Sequence, residues 1–136
     1  MGDKIFIPGN VPSLKNSKRI IGIGARCKSC GHSPRRIMIS SKSIETWKKD
    51  TAKYWKQYRE EFLEMLSASE APHRIAFRFI RRTRHRFDYT NAADTICDEL
   101  VHQGWIEDDN SDILRPVFRP YRYDKHNPGV FIDVIT

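Results

Sequence analysis

The sequence has no apolar run approaching the roughly 18–20 residues of a bilayer-spanning helix, so a membrane span is not expected. Residues 1–9 have neither the basic start nor the apolar core of a secretion signal, and export is not expected either. Cysteine is scarce: three residues, an odd count, with Cys27 and Cys30 only three positions apart. A disulfide framework is a poor account of that pattern, and a reducing cytoplasm is the expected setting. Internal repeats, linkers and low-complexity segments are missing as well. At 136 residues with 39% hydrophobic and 11% aromatic content, the chain can fill one core but not two of ordinary size, which makes 1–136 a single domain.

Two adjacent stretches each lack charge of one sign. Residues 73–87 hold six Arg and no carboxylate; residues 88–112 hold eight carboxylates (Asp88, Asp94, Asp98, Glu99, Glu107, Asp108, Asp109, Asp112) and no Lys or Arg. Over the whole chain, residues 1–87 carry 20 Lys and Arg against 7 Asp and Glu, a net +13, while residues 88–136 carry 4 against 10, a net −6. Basic surroundings with one acidic pocket suit a metal-dependent enzyme acting on a polyanion. On composition alone, a basic protein with one solvated acidic helix fits equally well.

Residues 4–7 read as a short strand ending at Pro8-Gly9. Residues 20–23 and 36–39 are β-favouring runs separated by small and polar residues, and form an expected hairpin with 26–34 as its tip. From Ser43, a candidate N-cap, apolar residues recur at Ile44, Trp47, Trp55, Tyr58, Phe62 and Met65/Leu66, which predicts a helix ending before Pro72. Residues 74–82 alternate as a strand, with Ile75, Phe77 and Phe79 on one face and Ala76, Arg78, Ile80 and Arg82 on the other. Residues 91–103 return to helical period, with Ala92, Ala93, Ile96, Cys97, Leu100 and Val101 on one side, Asn91, Thr95, Asp98, Glu99 and His102 on the other, and Gly104 as terminator. Residues 117–123 and 130–135 read as closing strands. The expected fold is α+β, a small mixed sheet with two helices packed on one face.

The chemistry concentrates around the second helix, with Asp88 just before it and Asp108-Asp109 just after. If the flanking strands bring these acids together, carboxylates about 4 Å apart repel by several kcal/mol at an effective dielectric near 20, and a divalent cation reverses that cost. Clustered Asp residues in a basic protein therefore suggest Mg²⁺, a hard ion that takes oxygen ligands, with Mn²⁺ as a substitute. As dull alternatives, Asp88 caps a helix and 108–111 is a polar turn.

Pro12-Ser13 followed by Lys15-Asn16-Ser17-Lys18-Arg19, the pair Asp88-Tyr89-Thr90-Asn91 opening a helix, and Trp105-Ile106-Glu107-Asp108-Asp109 after it resemble the motifs of RusA-type Holliday junction endonucleases, over most of the chain. The resemblance implies a small α/β homodimer in a bacterial or phage-infected cell that resolves branched DNA by paired, Mg²⁺-dependent nicks. It implies Asp88, Asp108 and Asp109 as metal ligands. Thr90 stands where the family has its second Asp, and Asp94 where many members have Lys. Relocation of the missing carboxylate to Asp94 or Asp98, four residues apart on one helix, keeps the site catalytic; the alternative is a non-catalytic nucleic-acid-binding protein with a decayed metal site.

Phosphate contacts are expected from Lys15, Asn16, Lys18, Arg78, Arg82, Arg84, Arg86 and Asn91. Cys27-x-x-Cys30-Gly31-His32 is half of a zinc knuckle, so Zn²⁺ is not expected unless a dimer pairs two such loops. Cys97 falls on the helix's apolar side, and Trp47, Trp55 and Tyr58 fall at helical spacing, so all four read as packing residues.

Overall fold

A computed structural model describes residues 5–13, 18–23, 35–40 and 42–136, with the backbone alone for 18–23 and 35–40. Strand β1 (Ile5–Pro8) leads to the hairpin β2 (Lys18–Ile23) and β3 (Arg35–Ser40), then α1 (Lys42–Ser67), β4 (His73–Arg81), α2 (Tyr89–His102), β5 (Leu114–Phe118), β6 (Arg122–Tyr123) and β7 (Gly129–Ile135). The expected hairpin is antiparallel, in register from Lys18↔Ser40 to Ile23↔Arg35; its tip lies outside the described residues. No helix among the described residues is long and apolar enough to cross a membrane.

The main sheet is mixed, in the order β1-β7-β4-β5, with β6 also on β4. β7 pairs antiparallel with both β1 and β4, whereas β5 and β6 pair parallel with β4. Parallel neighbours need a crossover, and α2 supplies it. The register puts Ile132 between Ile5 and Phe77, Val130 between Ile7 and Phe79, and Val134 beside Ile75. These residues share one face, and they join Trp47, Trp55, Phe62, Ile96 and Leu100 in a single core cluster. Both helices therefore cover that face, as expected.

Three tryptophans tie the helices together. Trp55 lies edge-on to Trp47 at 6.1 Å and to Trp105 at 4.9 Å, and Phe62 meets Trp105 at 4.6 Å. The Trp55 indole donates to Thr51 Oγ1 at 3.0 Å and the Trp105 indole to the Trp55 carbonyl at 3.2 Å. Trp105 thus locks the segment after α2 onto α1. Gly104 ends α2 at φ +73, a left-handed backbone that glycine adopts without strain.

Four details depart from the sequence reading. Helix α1 begins at Lys42, which puts Ser43 in the first turn rather than at the cap, although its end at Ser67 falls before Pro72 as expected. The single strand expected over 117–123 is two, β5 and β6, because Pro120 has no N–H to give the ladder. Ala76 and Ile80, placed on a partly cationic face, are buried at 1% and 5% exposure. On the polar side of α2, Thr95 and Glu99 are buried: Thr95 Oγ1 donates to the Pro12 carbonyl at 3.3 Å, and the Glu99 carboxylate meets His102 Nδ1 at 3.1 Å and Gln103 Nε2 at 3.2 Å.

Trp105→Ala empties the junction of both helices and is expected to cost about 3–5 kcal/mol, read as a lower urea midpoint with an unchanged slope. A loss under about 1 kcal/mol contradicts the central place of this ring.

Candidate functional site

The crossover decides where the acids go. Asp88 precedes α2 at the end of β4, and Asp108 and Asp109 lie between α2 and β5. A helix of 14 residues separates its ends by roughly 20 Å. The strands flanking α2 are neighbours, but they run parallel, so no antiparallel return brings the two acidic segments together at one end.

Asp88 is the N-cap, with extended φ −94 and ψ 123, yet its side chain makes no capping bond to the helix. Instead the Asn91 amide donates to its Oδ2 at 3.3 Å. Asp108 is held by its own loop: the Asp109 backbone N–H donates to Oδ1 at 2.8 Å and the Asn110 amide to Oδ2 at 2.9 Å. Hydrogen bonding from the Asp109 backbone first, then from Asn110, keeps the Asp108 carboxyl below the usual carboxylate range.

The remaining acids meet elsewhere. Cys97 lies less than one turn from both Asp94 and Asp98 along α2, and Asp109, in the segment after Gly104, is close enough for its charge to act on the same thiol. Burial first, then the charges of Asp109, Asp94 and Asp98, push the Cys97 thiol up to about 12. Thr90 and Asp94 are one turn apart on this stripe. Asp88 is not among the charges acting on Cys97. All these donors are oxygen, which suits a hard cation. Their spacing does not: among the described residues no three His, Cys, Asp or Glu side chains form a group that holds an ion.

The expected phosphate contacts divide in three. Lys15 and Asn16 lie outside the described residues, as do Cys27 and Cys30 of the half zinc knuckle, and Lys18 opens β2 with only its backbone described. Arg82, Arg84 and Arg86 are exposed, in the stretch that leads from β4 to Asp88. Arg78 is turned to a structural task, donating to the Pro120 carbonyl at 2.8 Å, and Asn91 is committed to Asp88.

Sequence reasoning missed an aromatic ledge around Asp88. Phe118, Tyr121 and Tyr123, the exposed large hydrophobics among the described residues, are 38%, 42% and 40% exposed. Tyr121 meets Phe87 at 5.2 Å, Phe118 meets Tyr89 at 5.5 Å, and Phe87 meets Tyr89 at 5.1 Å, so the rings flank Asp88 on both sides in sequence. Arg81 lies over Phe87 at 4.5 Å and Arg84 over Tyr123 at 4.4 Å. The available signal was the alternation Phe118-Arg119-Pro120-Tyr121-Arg122-Tyr123, a basic stretch interleaved with rings.

In a Cys27→Ser, Cys30→Ser background, alkylation of Cys97 in the folded protein is expected to stay slow through pH 9 and to rise only toward pH 12. Converting Asp94, Asp98 and Asp109 together to Asn brings that midpoint down, though not to the ordinary thiol value of 9.0, because burial is the larger cause. A midpoint unmoved by the three substitutions contradicts the convergence of these acids.

No family model matches the chain, and no curated protein matches it.

Proposed function

We propose that the protein acts on the backbone of branched DNA as a structure-selective endonuclease of the RusA kind. What supports this reading is that Asp94 and Asp98, one turn apart on α2, and Asp109 in the segment after it all lie close enough to Cys97 for their charges to act on its thiol, with Asp94 one turn from Thr90, where the resemblance expects a carboxylate. Among the described residues no Lys or Arg forms an ion pair with any of the three. Support also comes from the ledge at Asp88. Guanidinium groups contact phosphates, and exposed rings stack on bases left unpaired at a branch point, each worth about 1–3 kcal/mol.

Mg²⁺ or Mn²⁺ enters this reading from the resemblance. No chemical step is assigned to an ion, because the carboxylates of one chain do not form a complete set. Among the described residues of one chain, Asp88 and Asp109 belong to no group of three acids that could hold an ion. A homodimer, which paired nicks also require, is the assembly in which Asp88 of one copy can share a site with Asp109 of another. The incomplete set favours a second reading: a nucleic-acid-binding protein whose metal site has decayed.

A four-way junction incubated with the protein separates the two. The nuclease reading expects nicking with Mg²⁺ or Mn²⁺ and none with a chelator. Asp94→Asn and Asp109→Asn lower it by orders of magnitude while metal-free binding persists or tightens, because negative charge facing phosphate is removed. Thr90→Asp brings little gain. Tight binding without nicking in either metal, unaffected by the Asn variants, leaves the binding protein.

Junction affinity is also expected to fall steeply with salt. Arg82→Ala and Arg84→Ala each flatten the log–log slope by about one unit. A slope near zero removes nucleic acid from both readings.

A further inference from the structure

We propose that a cleft apart from the carboxylates, between residues 9–13, the first turns of α1 and the end of β4, binds a phosphate group. The cleft encloses about 670 Å³, room for a nucleotide-sized ligand. None of Asp88, Asp94, Asp98, Asp108 or Asp109 lines it, so the inference does not depend on the nuclease reading.

Charge gives the ligand its sign. Lys42, Arg81 and Arg82 line the cleft, and against them stands the carboxylate of Asp50. The Arg81 guanidinium is half-buried and fixed in place, donating through Nη1 to the Val11 carbonyl at 2.6 Å and through Nη2 to Ser13 Oγ at 3.1 Å. Both partners are neutral, and among the described residues no carboxylate pairs with Arg81. Burial, then the neighbouring charge of Arg82, lowers its pKa, the sign of a cation held without a counter-ion. The start of α1 adds the positive end of its dipole, with Lys42, Ser43 and Thr46 on the wall.

A second observation points the same way. Trp47 is 5% exposed, and among the described residues its indole N–H has no acceptor. That edge of the ring faces the Gly9 wall of the cleft: a Cβ built at Gly9 would lie 3.6 Å from Trp47 Nε1 and 3.4 Å from Thr51 Cγ2. Buried donors are almost always paired. The other two indoles in the core are: Trp55 to Thr51 and Trp105 to the Trp55 carbonyl. Trp47 differs from them in lining a cleft where three cations face a single carboxylate. A phosphate oxygen that reaches this edge of the ring supplies both the acceptor and the charge.

The phosphate can belong to a nucleic-acid backbone or to a terminal monoester. The test follows the three indole N–H signals of ¹⁵N-labelled protein by NMR at constant ionic strength, with the Trp47 signal assigned through Trp47→Phe. Inorganic phosphate and a nucleoside 5′-monophosphate are each titrated, followed by one short oligonucleotide with and without a 5′-phosphate. The expected result is a saturable shift of the Trp47 signal with the Trp55 and Trp105 signals nearly still. Arg82→Ala and Lys42→Ala each weaken binding about tenfold, and Asp50→Asn tightens it. A shift that needs the 5′-phosphate assigns the site to a terminal monoester; equal shifts with both oligonucleotides assign it to the backbone. No saturable shift with any of the probes, or affinity unchanged in both Arg82→Ala and Lys42→Ala, overturns the proposal.

Discussion

A strand that runs parallel to its neighbour cannot be reached by a tight turn, so the chain leaving β4 must travel the length of the sheet before it can return as β5. Helix α2 makes that journey, and its apolar residues Ala92, Ile96 and Leu100 press it onto the same face that α1 covers. Everything of chemical interest follows from this path. Asp88 is delivered to the end of β4 beside Arg81, Arg82 and the aromatic rings. The acids that follow α2 are delivered to its other end. Folding the segment after Gly104 back onto the helix then brings Asp109 to the stripe bearing Asp94, Cys97 and Asp98.

The fold-back is secured by packing rather than by charge. Trp105 N–H and Ile106 N–H both reach the Leu100 carbonyl, at 2.8 and 3.3 Å, and the Trp105 ring fills the space between Trp55 and Phe62. A motif that resembles a catalytic signature therefore begins with a core residue, and its acids occupy their place because the tryptophan is held. The same economy appears at residues 9–13, where Arg81 and Thr95 bind the backbone from two sides, at Val11 and at Pro12. That loop links the phosphate cleft to α2.

Periodicity made most of the elements legible. The 3.6-residue spacing of Trp47, Trp55 and Phe62 and the alternation of Ile75, Phe77 and Phe79 report burial directly, and burial is what a core enforces. Pairing direction was not legible, because nothing in residues 74–82 or 114–118 encodes parallel against antiparallel. The relation between Asp88 and Asp109 was hidden with it. Glu99 was misplaced because a carboxylate reads as exposed unless its partners are known, and those partners, His102 and Gln103, lie in its own next turn. Tyr121 and Tyr123 were read as ordinary strand residues; only the break at Pro120 and the packing on Phe87 make them a surface.

The central claim is that the carboxylates of α2 and the segment after it, not those of an ordinary polar surface, form the chemical centre of a protein that handles branched DNA. Paramagnetic broadening by Mn²⁺ tests it most directly. With ¹⁵N-labelled protein bound to a four-way junction, substoichiometric Mn²⁺ is expected to erase the amide signals of Asp94–Asp98 and Asp109 before any others, with those around Asp88 joining them if two copies complete one site. Broadening spread evenly over all the exposed acids, Asp112 and Glu107 included, would contradict the claim.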